Sequence, residues 1–166
     1  MSISQEAGVS CDVNGESNSE FSSPSNRTLA YHTGESVLSL WPEVSSLLQK
    51  AAVWGHGEYQ VEDVLAKLLV GQMQLWVFSE NGKIQLVGVT EIITRPRKKA
   101  CNIYALAGYN MSGYWKQFAS SLFTWMKENQ IQDLETYCRD EVMEKLLPFG
   151  FQKKTNVLQF KWKEPS

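Results

Sequence analysis

The sequence predicts an α/β fold, with a mixed, mostly antiparallel sheet and helices on both faces. Two apolar runs of strand length flank Asn81-Gly82, which is the strongest short signal for a β-hairpin. Apolar residues recur at helical spacing in three separate segments. A strand–loop–helix–strand order between Cys101 and Cys138 implies a right-handed parallel crossover beside the antiparallel strands.

The first 28 residues differ in composition from the rest of the chain. They are rich in Ser, Asn, Glu and Gly and nearly lack large apolar side chains, so we expect a disordered, acidic, Ser-rich arm before a single domain at 29–166. Residues 1–36 hold five acidic residues and one arginine, which leaves the remainder slightly basic given the total charge of −2. The arm is either a solvated tail or a docking segment that orders on a protein partner.

Two helices are expected early in the domain, after a short strand at 28–32 or 35–40. Pro42 suits the first turn of the first helix, and the Gly-rich segment 54–57 ends it. Gly71 would end the second helix as a C-cap. The apolar positions at helical spacing are Val44, Leu47, Leu48 and Ala51 in the first helix and Val61, Val64, Leu65, Leu68 and Leu69 in the second.

The later elements follow from the same periodicities. Strands are expected at 74–79, 84–94, 100–108 and 134–138, and a short helix at 141–147 is closed by Pro148 and Gly150. Alternation over 157–162 predicts a last, half-buried antiparallel strand. A long helix is marked by Trp115, Phe118, Ala119, Leu122, Phe123 and Met126. Core positions are expected for Trp76, Phe78, Trp125, Phe160 and Trp162.

Composition excludes several classes of function. The net charge of −2 and a pI near 5.7 provide no basic field for nucleic acid or anionic lipid. No run approaches the roughly 20 apolar residues of a membrane span, and the N-terminus has no secretory signal. Cys11, Cys101 and Cys138 lie too far apart in sequence for a metal-ligand motif, so we expect no metal, and they suit a reducing compartment.

With this order of elements, residues 40–162 resemble the GNAT acetyltransferase family. The resemblance rests on the two early helices, the hairpin, the strand–loop–helix at 102–128 and the ending at 144–151. That ending reads Glu-Lys-Leu-Leu-Pro-Phe-Gly-Phe, and in the family it is a short helix that leads through Gly-Phe to a final strand. The resemblance implies a GNAT-like fold with acetyl-CoA as the cofactor.

The family holds the acetyl-CoA pyrophosphate at the loop after the third antiparallel strand. This loop reads Arg or Gln, two residues, Gly, one residue, then Gly or Ala, and its amides and the following helix N-terminus bind the anion. Here Gly113 matches the central glycine, Asn110 replaces Arg or Gln, and Trp115 replaces the last small residue. Trp115 either fills the phosphate space or turns to the core. The cofactor-binding residues implied by the resemblance are Leu106, Ala107, Gly108, Asn110 and Gly113.

The catalytic positions of the family are not matched. Many members carry a Tyr five residues before the Phe of Gly-Phe, where it protonates the leaving thiolate, and Leu146 stands there in this chain. Residues 102–108 hold no carboxylate, whereas Glu91 and Glu135 fall on neighbouring predicted strands. His56 lies in a loop that could border a substrate cleft. The catalytic residues are therefore unassigned.

Two classes of function follow. The chain resembles small, divergent GNAT-like proteins of tailed bacteriophages, which favours a non-enzymatic accessory or virion-associated binding protein with a degenerate acyl-CoA site. Such a protein would reside in the host cytoplasm or the virion and would not be secreted. The alternative is an acetyl-CoA-dependent N-acyltransferase that acts on an unknown amine, since direct attack of an amine on a thioester needs mainly positioning and an oxyanion contact.

Overall fold

The structure is a computed structural model that describes residues 8–9, 26–52, 60–138, 140–155, 158 and 160–162. These residues contain one six-stranded sheet, whose strands lie side by side in chain order. All neighbouring strands are antiparallel except the last pair, which is parallel. The strands are β1 (Gly8–Val9), β2 (Arg27–His32), β3 (Met73–Glu80), β4 (Lys83–Thr94), β5 (Lys99–Gly108) and β6 (Asp133–Thr136).

The helices follow the predicted order. They are α1 (Trp41–Ala52), α2 (Val61–Leu69), α3 (Met111–Glu128) and α4 (Asp140–Leu146), with 3-10 turns at Gly34–Val37 and Leu147–Phe149. Gly71 follows α2 with φ +77°, and the amide of Gln72 donates to the Lys67 carbonyl oxygen at 2.9 Å, so the predicted C-cap is confirmed. Within the described residues, no helix is long and apolar enough to cross a membrane.

The hairpin between β3 and β4 turns at Asn81 and Gly82, as predicted. Both residues have positive φ, +53° and +77°, which is the backbone of a two-residue type I′ turn. Asn and Gly adopt this conformation at the lowest steric cost, so the pair fixes both the position of the turn and the register of the strands.

The core has two layers because the central strands are covered on both faces. On β3, Leu75 and Val77 face the α1–α2 side, and Trp76 and Phe78 face α3. This explains why the strand reads as a continuous apolar run rather than an alternating one. The prediction of a mixed, mostly antiparallel sheet with helices on both faces is confirmed.

The predicted N-terminal boundary differs from the structure. β2 begins at Arg27, inside the segment 1–28 expected to be disordered, and Arg27 Nε donates to Glu80 Oε1 at 3.1 Å. Two further residues of the arm, Gly8 and Val9, pair with Ala30 and Leu29. The remaining residues before 26 lie outside the described residues.

The predicted last strand at 157–162 is wrong for the residues that the structure describes there. Residues 158 and 160–162 belong to no strand, and Leu158, Phe160 and Trp162 are 94%, 84% and 78% exposed. An alternating pattern forms a strand only where a partner strand and a core face are available, and propensity alone supplies neither. The core positions predicted for Phe160 and Trp162 are wrong for the same reason. Cys138 also lies beyond the end of β6 and is exposed.

A substitution at Gly150 tests the backbone conformation of the turn that follows α4. Its φ is +99°, and no heavy atom lies within 4 Å of the position of an added Cβ, so only backbone strain opposes a side chain. We expect Gly150→Val to lower the free energy of unfolding by about 1–2 kcal/mol, measured by urea denaturation. Gly150→Asn is the control, since Asn tolerates positive φ, and equal losses for the two variants would contradict this explanation.

Candidate functional site

The end of β5 has an open edge. Pairing with β6 covers only residues 100–103, opposite Asp133–Thr136, whereas pairing with β4 continues to Gly108. Over residues 104–108, β4 is therefore the only strand partner of β5 in the described part of the chain. An edge of this kind presents backbone amide and carbonyl groups to whatever lies beside it.

A β-bulge marks the point where β5 and β6 separate. Val89 pairs with Ala105 and Thr90 pairs with Ile103, so Tyr104 is the extra residue of the bulge. A bulge bends its strand and increases the local twist, and bulges are common beside active sites. The bend therefore lies where β5 stops pairing with β6 and its edge becomes open.

Gly108 lets the chain pass β4 at close range before it enters α3. Its φ is +144°, and an added Cβ would lie 2.2 Å from the Gln85 carbonyl oxygen and 2.8 Å from Leu86 Cα. The next amide, of Tyr109, donates to the Gln85 carbonyl oxygen at 2.8 Å. The approach of the two backbones therefore requires glycine at this position.

The N-terminus of α3 follows at once and has no side-chain cap. Asn110 is left-handed, with φ +51°, and its side chain makes no capping hydrogen bond. The first amides of a helix lack intrahelical acceptors, and the first turn of α3 contains no acidic residue. The Gly113 amide donates to the Asn110 carbonyl oxygen at 3.0 Å. The 18-residue helix therefore presents the positive end of its dipole with donor groups available to an anion.

A small cavity of about 180 Å³ lies between the end of α1 and the end of β5. Lys50 Nζ lies 5.5 Å from the centroid of the Tyr109 ring, which places a cation at this end of the strand. The cavity is lined by Leu47, Lys50, Ala51, Leu106, Ala107, Gly108 and Tyr109. It therefore brings together three of the predicted cofactor residues, and Asn110 and Gly113 follow at the start of α3.

Trp115 does not occupy the loop before α3. It is 8% exposed, and its ring centroid lies 5.9 Å from that of Phe118, 5.5 Å from that of Phe149 and 5.6 Å from that of Phe151. The indole thus packs between α3 and the segment after α4. Of the two orientations considered from sequence, the one that turns to the core is observed.

The two carboxylates noted in the sequence lie in one row across the sheet. Glu91 on β4 pairs with Asn102 on β5, which pairs with Glu135 on β6. Asn102 Nδ2 donates to Glu91 Oε1 at 2.9 Å. Asn102 could not be identified from the sequence, because only the register of three strands places it between two acids.

Glu135 is held by cations and is a poor proton acceptor. Arg95 donates to both of its oxygens, at 2.9 and 2.8 Å, and Lys154 Nζ lies 3.2 Å from Oε1. The hydrogen bonds from Arg95, with a smaller contribution from Lys154, lower the pKa of Glu135. A carboxylate held ionised in this way stabilises the sheet edge rather than taking a proton near neutral pH.

Neither Cys101 nor Leu146 can act as a nucleophile or an acid near neutral pH. Burial raises the pKa of the Cys101 thiol to about 12, so it is not a thiolate near neutral pH. Leu146 is buried and has no proton to donate. His56 lies outside the described residues. No cluster of His, Cys, Asp and Glu within the described ranges could hold a metal ion.

Neither a protein-family model nor a curated protein matches this chain, but solved structures do. An aminoglycoside acetyltransferase from an uncultured soil metagenomic sample, solved with sisomicin, shares 14% identity and a TM-score of 0.62 over 84% of this chain and 97% of its own. An aminoglycoside N-acetyltransferase solved with CoA shares 9% identity and a TM-score of 0.64 over 84% and 96% of the two chains.

A predicted acetyltransferase from Clostridium acetobutylicum, solved with acetyl-CoA, is similar at 15% identity. Its TM-score is 0.59, over 80% of this chain and 96% of its own. Identities this low show the fold alone. The fold is that of the GNAT acetyltransferases, as the sequence resemblance implied.

Proposed function

We propose that the protein is an acyl-CoA-dependent N-acyltransferase. The observation that carries the proposal is the direct passage from the open edge of β5, at residues 104–108, into the uncapped N-terminus of α3. An acyl-CoA has an extended arm with amide groups and a pyrophosphate at the end of that arm. A strand edge hydrogen-bonds an extended amide chain as it would another strand, and a helix N-terminus binds phosphate.

The residues present fit such a molecule. Gly108 allows β5 to approach β4 closely, Gly113 leaves room for the Asn110 side chain, and Leu106 and Ala107 line the adjacent cavity. Asn110 lies at the first turn of α3, and Lys50 adds a positive charge at the same end of the strand. These residues would bind and orient the cofactor. The similar structures solved with CoA and with acetyl-CoA support the same class of ligand.

When bound, acyl-CoA supplies an acyl group activated as a thioester, which an amine can attack directly. The contribution of this chain would be positioning of the amine and exclusion of water, which can account for a large part of a rate enhancement. Leu146 offers no proton for a leaving group, and Glu135 is held by Arg95. We therefore expect a slower enzyme than one with a complete acid–base pair.

One argument for the non-enzymatic interpretation is removed. Trp115 does not fill the phosphate space, because its indole packs on Phe149 and Phe151. No observation favours a bacteriophage or virion-associated role. A protein partner for the N-terminal arm stays a prediction, since most of residues 1–25 lie outside the described part of the chain.

Calorimetry with acetyl-CoA tests the proposal. We expect wild-type protein to bind with micromolar affinity, and Gly113→Val to abolish binding while the fold survives. An added Cβ at this position would lie 2.5 Å from Asn110 Nδ2, so the new side chain displaces that of Asn110 and covers the first amides of α3. Cofactor at 100 times its Kd should also raise the free energy of unfolding by about 2.7 kcal/mol.

Ser120→Val is the matched control for this experiment. It places the same β-branched residue on an exposed position of α3, away from the N-terminus, so acetyl-CoA binding should be unchanged. Absence of a binding heat in the wild type would refute the proposal. Equal affinity in wild type and Gly113→Val would show that the cofactor binds elsewhere.

A further inference from the structure

The first turn of α3 is tied to the sheet through the side chain of Tyr114. This residue is the fourth of the helix and is 4% exposed. Its hydroxyl donates to Glu80 Oε2, at the end of β3, at 2.5 Å. The centroid of its ring lies 4.4 Å from that of Phe78 on the same strand. The start of the helix is therefore held against β3 by a hydrogen bond and a ring contact.

The acceptor of this hydrogen bond, Glu80, is itself held in place. Arg27 is its cross-strand partner on β2, and Arg27 Nε donates to Glu80 Oε1 at 3.1 Å. Arg27 Cζ also lies 5.4 Å from the centroid of the Tyr114 ring. The hydrogen bond to Glu80 raises the pKa of Tyr114, so the hydroxyl stays protonated near neutral pH and continues to donate.

This arrangement differs from an ordinary helix cap. A side-chain cap accepts a hydrogen bond from the N2 or N3 amide of the helix, and that amide is then used. α3 has no such cap and no acidic residue in its first turn, and the residue before it, Asn110, is left-handed. The end of a helix has few hydrogen bonds of its own, so an uncapped first turn needs tertiary contacts to stay ordered. The contacts of Tyr114 hold the turn from its side without using the first amides as donors.

We propose that Tyr114 is a positioning residue for the anion site at the start of α3. Its hydrogen bond to Glu80 keeps the first turn ordered while the first amides stay available to a phosphate group. Trp115 packs on Phe149 and Phe151, so its contacts link the helix to the segment after α4 rather than to β3. The role in ligand binding rests on the proposed function, whereas the anchoring of the helix rests on the contacts of Tyr114.

Amide hydrogen exchange of the ligand-free protein, followed by NMR, tests the anchoring. Tyr114→Phe removes only the hydroxyl. Exchange at the Gly113 and Trp115 amides should therefore rise about tenfold, as expected for the loss of a hydrogen bond to a charged group. Glu80→Ala removes the acceptor instead, and it should raise exchange at the same two amides.

Tyr31→Phe is the matched control for this measurement. The Tyr31 hydroxyl is hydrogen-bonded to the side chain of Trp125, which lies towards the other end of the same helix. The substitution therefore removes the same chemical group from a contact with α3, but away from its N-terminus. Exchange at the Gly113 and Trp115 amides should be unchanged in this variant.

The affinities of two thioesters, measured by NMR titration, test the role in binding. Acetyl-CoA carries a pyrophosphate, whereas S-acetylpantetheine carries none. If the anchored turn binds the pyrophosphate, Tyr114→Phe should weaken acetyl-CoA binding about tenfold and leave S-acetylpantetheine binding unchanged. A general loosening of the fold would weaken both. Tyr31→Phe should weaken neither.

Unchanged exchange at the Gly113 and Trp115 amides in Tyr114→Phe would overturn the anchoring. Equal weakening of the two thioesters, or unchanged acetyl-CoA affinity, would overturn the positioning role. If Tyr114→Phe does not fold, Glu80→Ala provides both measurements from the other side of the hydrogen bond. The exchange measurement uses no ligand, so a wild type that does not bind acetyl-CoA would refute the proposed function and leave the anchoring intact.

Discussion

Gly108→Ala is expected to lower the free energy of unfolding by about 3–5 kcal/mol, one of the largest single effects in this chain. The added Cβ would lie 2.2 Å from the Gln85 carbonyl oxygen and 2.8 Å from Leu86 Cα. Both are backbone atoms of β4, so a rotamer change cannot relieve the clash. The φ of +144° adds strain for any residue other than glycine. Urea denaturation of the variant measures the loss.

Gly82→Ala separates the steric clash from the backbone strain as causes of the loss in Gly108→Ala. Gly82 also has positive φ, +77°, but no heavy atom lies within 4 Å of an added Cβ, so only the backbone strain of about 1–2 kcal/mol applies. The difference between the two variants measures the steric part. Equal losses would show that β5 and β4 are not held as closely at Gly108 as the structure indicates.

The elements that the sequence predicted well are those specified by local signals. Asn81-Gly82 needs no distant residue to form its turn, and Gly71 ends α2 through bonds to the preceding turn. Helical periodicity placed α3 because its buried residues share one face of a single segment. Such features depend on neighbours within a few residues, so one sequence is sufficient to find them.

The candidate site was less predictable because its contacts join distant segments. The orientation of the Trp115 side chain is set by its packing on Phe149 and Phe151. The loop before α3 does not determine that orientation. Asn102 contacts Glu91 only because the register of β4 and β5 places the two residues opposite each other. The last predicted strand fails for a related reason, since its alternation requires a partner that the pattern cannot identify.

The meaning of a substitution in a glycine motif therefore depends on tertiary contacts. From sequence, a Trp in place of Gly or Ala at position 115 left two orientations open, into the phosphate space or towards the core. Trp115 is the fifth residue of α3, however, and its side chain can turn to the core without covering the first amides of the helix. In this structure the indole of Trp115 packs on Phe118, Phe149 and Phe151, and the side chain that lies against Gly113 is that of Asn110.

Trp115→Ala is accordingly expected to destabilise the protein without creating a binding site. The indole is 8% exposed and packs on three aromatic rings, so its loss should lower the free energy of unfolding by about 3–5 kcal/mol. Trp115→Phe keeps an aromatic ring in the same layer and should lose much less. Urea denaturation gives both values, and calorimetry on the folded fraction gives acetyl-CoA affinity. We expect that affinity to match wild type in Trp115→Phe; a marked gain on removing the indole would show that Trp115 obstructs the cofactor after all.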